Sequence, residues 1–152
     1  VHNSLNTALD YGSYRTELFR YSSLQVGIAK SGEDCFELPK SSPDHGQNIS
    51  AYYFWIFPNM MFNFYPWGLS VNVVRPLKPD LTKVSFLTYV LDESRLDKGA
   101  GAELDKVERE DEAIVENVQR GIRSKNYDRG RYSVTRETGT HHFHRLISEF
   151  IG

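Results

Sequence analysis

Residues 51–69 read AYYFWIFPNMMFNFYPWGL, a stretch without a charged side chain and about as long as a bilayer-spanning helix. Its composition argues against a span. Pro58-Asn59 and Pro66 interrupt it, Asn63 puts an amide in its middle, and Tyr, Phe and Trp dominate over Leu. Aromatic residues suit a pleated, half-buried surface, and Pro-Asn marks a turn. The stretch therefore predicts two short strands, 51–57 and 60–65, joined at Pro58-Asn59.

Further strands are predicted at 69–76 and 82–91, set off by turn chemistry at Pro66-Trp67-Gly68 and Lys78-Pro79-Asp80. Upstream, residues 14–28 alternate, with Leu18, Leu24, Val26 and Ile28 on one side and Arg15, Glu17 and Gln25 on the other, as in a half-buried strand. Residues 31–48 are rich in Ser, Gly, Pro and Asp and read as a loop with a short strand around 35–38. Connections this short favour an antiparallel meander.

Downstream the period changes. After a loop at 92–103 containing Lys98-Gly99-Ala100-Gly101, the residues Leu104, Val107, Ile114, Val115, Val118 and Ile122 recur at helical spacing. Residues 123–139 are polar and irregular, and 141–151 form a second helix with Phe143, Leu146, Ile147 and Phe150 on one face. Strands first and helices last predict a single α+β domain over 1–152, an antiparallel sheet packed against a long helix. An aromatic-lined cavity is expected where the sheet faces the helix stripe.

The 152 residues have the length of one domain with a real core, and a formal net charge of -2 leaves no electrostatic footprint for nucleic acid. The single cysteine, Cys35, excludes an intrachain disulfide framework and a cluster held by several thiolates of this chain. A reducing, cytoplasmic setting fits that usage. The opening residues show no basic run followed by an apolar one, so no secretory leader and no membrane segment is expected.

Asp111 fills a gap in the apolar stripe of the first helix, while Glu108, Arg109, Glu110 and Glu112 mostly fall elsewhere around it. An ionised carboxylate on a buried face costs several kcal/mol unless a cation, a proton or donors compensate. Two readings follow: a core carboxylate satisfied by a Tyr, an Arg or backbone donors, or a metal ligand or catalytic group.

Other candidates carry less. His2 sits at the terminus, where fraying is the default. His141, His142 and His144 do not share the i, i+4 face that a helical metal pair uses, and His45 lies in a polar loop. Glu112 and Glu116 are a like-charge i, i+4 pair, and Glu116 can pair with Arg120. Gly99 and Gly101 lack the context of a phosphate cradle. Among the aromatics, Tyr53, Trp55, Phe57, Phe62 and Phe64, with Tyr52 and Trp67, are candidates for a pocket, and Asn59 and Asn63 for its hydrogen bonds. Strand alternation lets about half of them face any one cavity.

The blocks EREDEAIVENVQRGIRS (108–124), YDRGRYS (127–133) and ETGTHHFHRLISEF (137–150) resemble the C-terminal catalytic domain of Rieske-type ring-hydroxylating oxygenase α subunits. The flavour is that of the branch with choline and glycine-betaine monooxygenases, and VHNSLNTALDYGSY and YYFWIFPNMMFN match it too. The resemblance implies a helix-grip (START/Bet v 1-like) fold, a curved antiparallel sheet packed on a long C-terminal helix. It also implies a mononuclear Fe(II) held by two histidines and one carboxylate, with positions left open for dioxygen and substrate.

The family's carboxylate precedes a Glu by five residues, as Asp111 precedes Glu116, so the resemblance maps the metal role onto Asp111. The second histidine of the motif falls on His2, with its partner five residues earlier, before this chain begins. The Rieske domain with its [2Fe-2S] cluster is likewise not in the chain, so the resemblance implies a catalytic domain incomplete at its N-terminus and inactive by itself.

For an intact parent the resemblance implies O2-dependent hydroxylation of an aromatic or quaternary-ammonium small molecule. Electrons would come from NAD(P)H through a reductase, with or without a ferredoxin, and the subunits would form a homotrimer. The alternative is a metal-free helix-grip domain that binds a hydrophobic small molecule.

Overall fold

A computed structural model of the chain describes residues 7–152, so His2 lies outside the described residues. Six strands come first: β1 Arg15–Phe19, β2 Ser22–Ile28, β3 Ile49–Ile56, β4 Met60–Tyr65, β5 Gly68–Lys78 and β6 Leu81–Val90. Each pairs antiparallel with the next in the order of the chain. Two helices follow, α1 Leu104–Gly121 and α2 Thr138–Ile151. This is the α+β, helix-grip-like arrangement, with the meander that the short connections require. No helix among the described residues is long and apolar enough to cross a membrane, and residues 51–69 run through β3, β4 and the start of β5.

Two local expectations are corrected. Residues 14–28 are a hairpin rather than one strand, because the chain reverses at Arg20-Tyr21 and pairs Leu18 with Ser23. The reversal moves Leu18 to the face opposite Leu24 and Val26, and Leu18 is exposed. Alternation cannot reveal a tight turn whose residues keep the pattern running. Residues 35–38 form no strand; Phe36 N–H donates to the Ile49 carbonyl at 2.8 Å and the segment otherwise runs as a loop.

Pairing registers place Gln25, Tyr53, Trp55, Asn63 and Asn72 on one face of the sheet, the inner, and Leu24, Val26, Tyr52, Phe54, Phe62 and Phe64 on the outer. The outer face of β2 and β3 is covered by the 31–48 loop, where Phe36 and Leu38 pack on Leu24, Val26 and Ile49. That loop is tied down by Asp44, which accepts from the Arg15 guanidinium and, at 2.8 Å, from the Tyr52 hydroxyl.

The inner face carries both helices. Phe143 of α2 sits edge-on to Trp55 at 5.1 Å between ring centroids, and Phe150 packs on Phe57 at 5.0 Å. The aromatic faces of α2 and β3 thus meet, and Leu146 between them is buried.

At the other end of the inner face Trp67 is 1% exposed and stacks on Tyr65, with Leu9, Ala51 and Ala100 around them. The turn Gly99–Gly101 presses directly on this pair. A Cβ at Gly101 would lie 2.1 Å from Trp67 Nε1 and 2.9 Å from Tyr65, so the position excludes any side chain. The close approach sets where the chain enters α1.

Candidate functional site

Between the inner face and α1 lies a cavity of about 1320 Å³, open on one side. Its deep end is made by Tyr14 and Gln25, by Tyr53 and Tyr65, and by Leu9 and Ala100, and its open end by Asp80, Leu81 and Arg120.

Asp111 stands on the wall of this cavity, and it is not the buried carboxylate that the periodicity predicts. No residue of α1 is buried, Asp111 itself is exposed, and Val115 in the same stripe is 66% exposed. The helical period dictates which residues share a face, but burial of that face depends on what packs opposite. Here the cavity holds the sheet away.

A bond crosses the gap, in which Asn72 Nδ2 of β5 donates to Glu108 Oε1 of α1 at 3.2 Å. Glu108 lines the cavity too, which corrects its placement elsewhere around the helix. It precedes Asp111 by three residues, and residues three apart are neighbours on a helix surface. That spacing was the available signal.

The deep end is phenolic. Tyr14 donates to Gln25 Oε1 at 2.9 Å. The rings of Tyr53 and Tyr65 meet edge to face at 5.9 Å, and the buried Tyr53 hydroxyl makes no hydrogen bond of normal geometry. Burial pushes all three phenols up, and the charge of Glu108 pushes Tyr65 further, so each stays neutral and keeps its proton to donate. Tyr14 and Tyr65 escaped the sequence analysis. Alternation within β4 puts Tyr65 on the face of the pocket candidate Asn63, which was the available signal, whereas Tyr14 needed the sheet in three dimensions.

The predicted pocket residues separate. Tyr53 lines the cavity. Trp55 and Phe57 share its face but lie under Phe143 and Phe150 of α2. Asn59 is engaged in the hairpin, donating to the Val74 carbonyl at 2.9 Å. Phe62 and Phe64 point to the outer face, where Phe64 meets Phe54. Asn63, by contrast, lines the cavity.

Of the other histidines, His45, His141 and His144 are engaged away from it, whereas the buried Nε2 of His142 makes no hydrogen bond. Tyr132 packs on His141 and His144 and is hydrogen-bonded to His144 Nδ1, and His45 Nδ1 contacts the Leu38 carbonyl at 2.9 Å. Arg120 bonds Asn117 rather than pairing with Glu116. Among the described residues no group of three His, Cys, Asp or Glu gathers closely enough to hold a metal ion.

With this geometry established, comparison with known proteins identifies the lineage. A profile of the ring-hydroxylating α-subunit catalytic domain matches residues 14–152. The chain belongs to that family. Within the ring-hydroxylating α subunits it is similar to the chloroplastic choline monooxygenase of Arabidopsis thaliana, 40% identical over 155 residues. It is also similar to the carnitine monooxygenase oxygenase subunit of Escherichia coli strain K12, 28% identical over 161 residues. The matches take in 97% and 98% of this chain, which spans 34% of the length of the first relative and 42% of the second. A solved quaternary ammonium Rieske monooxygenase, described for carnitine oxidation and inter-subunit electron transfer, shares the fold. Its TM-score is 0.70 at 23% identity, over 99% of this chain and 42% of the other.

Proposed function

We propose that the chain is part of the catalytic domain of a Rieske-type non-haem iron monooxygenase, with Asp111 and His2 as ligands of one mononuclear Fe(II). The observation that carries this reading is the place of Asp111, a carboxylate on the wall of a large cavity. An oxygen donor that opens onto a cavity suits Fe(II) bound with positions left for small molecules. The donors available in the chain therefore fit the metal in kind, a hard carboxylate and an imidazole. Bound there, the iron would supply the dioxygen chemistry of the hydroxylation. The residues of this chain would hold the substrate beside it and keep bulk water from the phenolic end.

Electrons reach the site, in this reading, from NAD(P)H through a reductase, with or without a ferredoxin, and a [2Fe-2S] Rieske cluster, within a homotrimer of the parent subunit. The substrate is a quaternary-ammonium compound. In support, the relatives are named for choline and carnitine, and the deep end of the cavity offers tyrosine rings, whose faces attract onium groups. Single-cysteine usage keeps a reducing compartment in the proposal; the plant relatives are named as chloroplastic.

The test is the iron content of the full-length parent with and without Asp111→Ala, with Rieske iron counted separately by its absorbance. Loss of the mononuclear iron alone, with the fold retained, is expected. Unchanged iron would remove Asp111 from the ligand set, and a parent without mononuclear iron would replace the oxygenase by a metal-free binding domain.

A further inference from the structure

The charges around the cavity are one-sided. Asp80, Glu108, Asp111, Glu112 and Glu116 all line it, Asp80 being paired with Arg123 at 3.4 Å, against a single guanidinium among the described lining residues, that of Arg120 at the open end. Low-dielectric walls focus such a field. A dianion or a carboxylate-bearing ligand would enter against it and meet no Lys or Arg among the described residues of the deep end.

Glu108 is anchored on the sheet through Asn72, and its charge acts on one of the deep phenols, that of Tyr65. Tyr14, Tyr53 and Tyr65 line the same end, and the buried Tyr53 hydroxyl, which makes no hydrogen bond of normal geometry, is a polar group left there for a ligand.

We infer that Glu108 and the tyrosines Tyr14, Tyr53 and Tyr65 form a recognition site for a monocation, a trialkylammonium head with an uncharged hydroxyl tail, and that the cavity discriminates against zwitterions carrying a carboxylate. The site deepens the functional reading above, since a head at Glu108 would lie about 4.5 Å along the helix axis from Asp111, three residues at the helical rise. The rings supply cation–π attraction and Glu108 the countercharge. The Tyr53 hydroxyl takes the hydroxyl of the tail.

The experiment is calorimetric titration of the full-length parent with choline, with its neutral isostere 3,3-dimethylbutan-1-ol and with glycine betaine, alongside determination of mononuclear iron. Glu108→Gln keeps the oxygen that accepts from Asn72 and removes only the charge. It should weaken choline about tenfold or more, because a charge pair a few ångströms apart in a partly buried site is worth at least that. It should leave the isostere within about threefold and narrow the preference for choline over glycine betaine. Glu116→Gln, farther along α1, should change choline by less than about threefold if recognition is local.

Unchanged choline affinity in Glu108→Gln, an equal loss for choline and its isostere, or an equal loss in Glu116→Gln would overturn the assignment. Because these readouts are binding constants, a parent without mononuclear iron that still shows the Glu108 dependence would remove the oxygenase reading and leave the cation site standing. Iron present with no Glu108 dependence would do the reverse.

Discussion

Asn72 and Glu108 are bonded across the cavity, the amide of a buried residue in the middle of β5 holding a carboxylate on the first turns of α1 at 3.2 Å. Since α1 buries no residue of its own against the sheet, this bond positions the helix out of proportion to its energy. Asn72→Leu should leave the sheet intact and raise amide hydrogen exchange across 104–112. The cost in stability should be about 1–3 kcal/mol, as for a hydrogen bond to a charged group. Exchange unchanged in α1 would show that the helix is held by other contacts.

Trp67 and Gly101 test the anchor at the other end. Trp67→Ala empties a fully buried site and should cost about 3–5 kcal/mol in denaturant unfolding. Gly101→Ala should also destabilise, by about 1–3 kcal/mol, because its methyl would overlap the indole at a place where ring and turn are both constrained. A neutral Gly101→Ala would mean that the turn moves freely, and the entry to α1 would not be set there.

Tyr53→Phe separates fold from recognition. Its hydroxyl makes no hydrogen bond of normal geometry, so stability should change by less than about 1 kcal/mol. Choline binding to the parent should weaken by about fivefold while tetramethylammonium, which has no hydroxyl, is unaffected. Equal losses for both would assign the effect to packing of the ring.

Asp44 gives a pH dependence. Partial burial pushes its carboxyl up, but the bonds from Tyr52 and Arg15 and the charge of Arg15 outweigh burial and hold it below the ordinary carboxylate value. A group depressed in the folded state contributes stability that is present above its unfolded pKa, about 4, and that is lost as the pH falls through the lower folded value. Protection of 31–48 in hydrogen exchange, corrected for intrinsic rates, should hold from pH 7 to about pH 5 and fall in stronger acid. Asp44→Asn should lower protection at pH 7 and remove the acid step. Persistence of that step in the variant would point to another carboxylate.

Much of the architecture is written locally. Turn residues at Pro58-Asn59 and Pro66-Trp67-Gly68, aromatic strands between them and a shift to helical period at Leu104 were enough to read a meander followed by helices, because each signal acts within a few residues of itself. Asp111 was legible as the odd residue on its helix face for the same reason. The helix period says that Glu108, Asp111 and Val115 look the same way. It does not say what they look at, and only the packing of α1 across a cavity turned an expected buried face into an open wall.

The same limit governed the aromatics. Alternation dictated that Tyr53, Trp55 and Phe57 share one side of their strand, but how β4 registers against it, which side carried the cavity, and that α2 would cover Trp55 and Phe57 there depended on contacts between separate elements. Tyr14 precedes β1, Tyr65 and Asn72 come from β4 and β5 and Glu108 from α1, and no local pattern links them. Their convergence is a property of the tertiary structure, since distances between such residues are set by how the elements stack rather than by any spacing along the sequence.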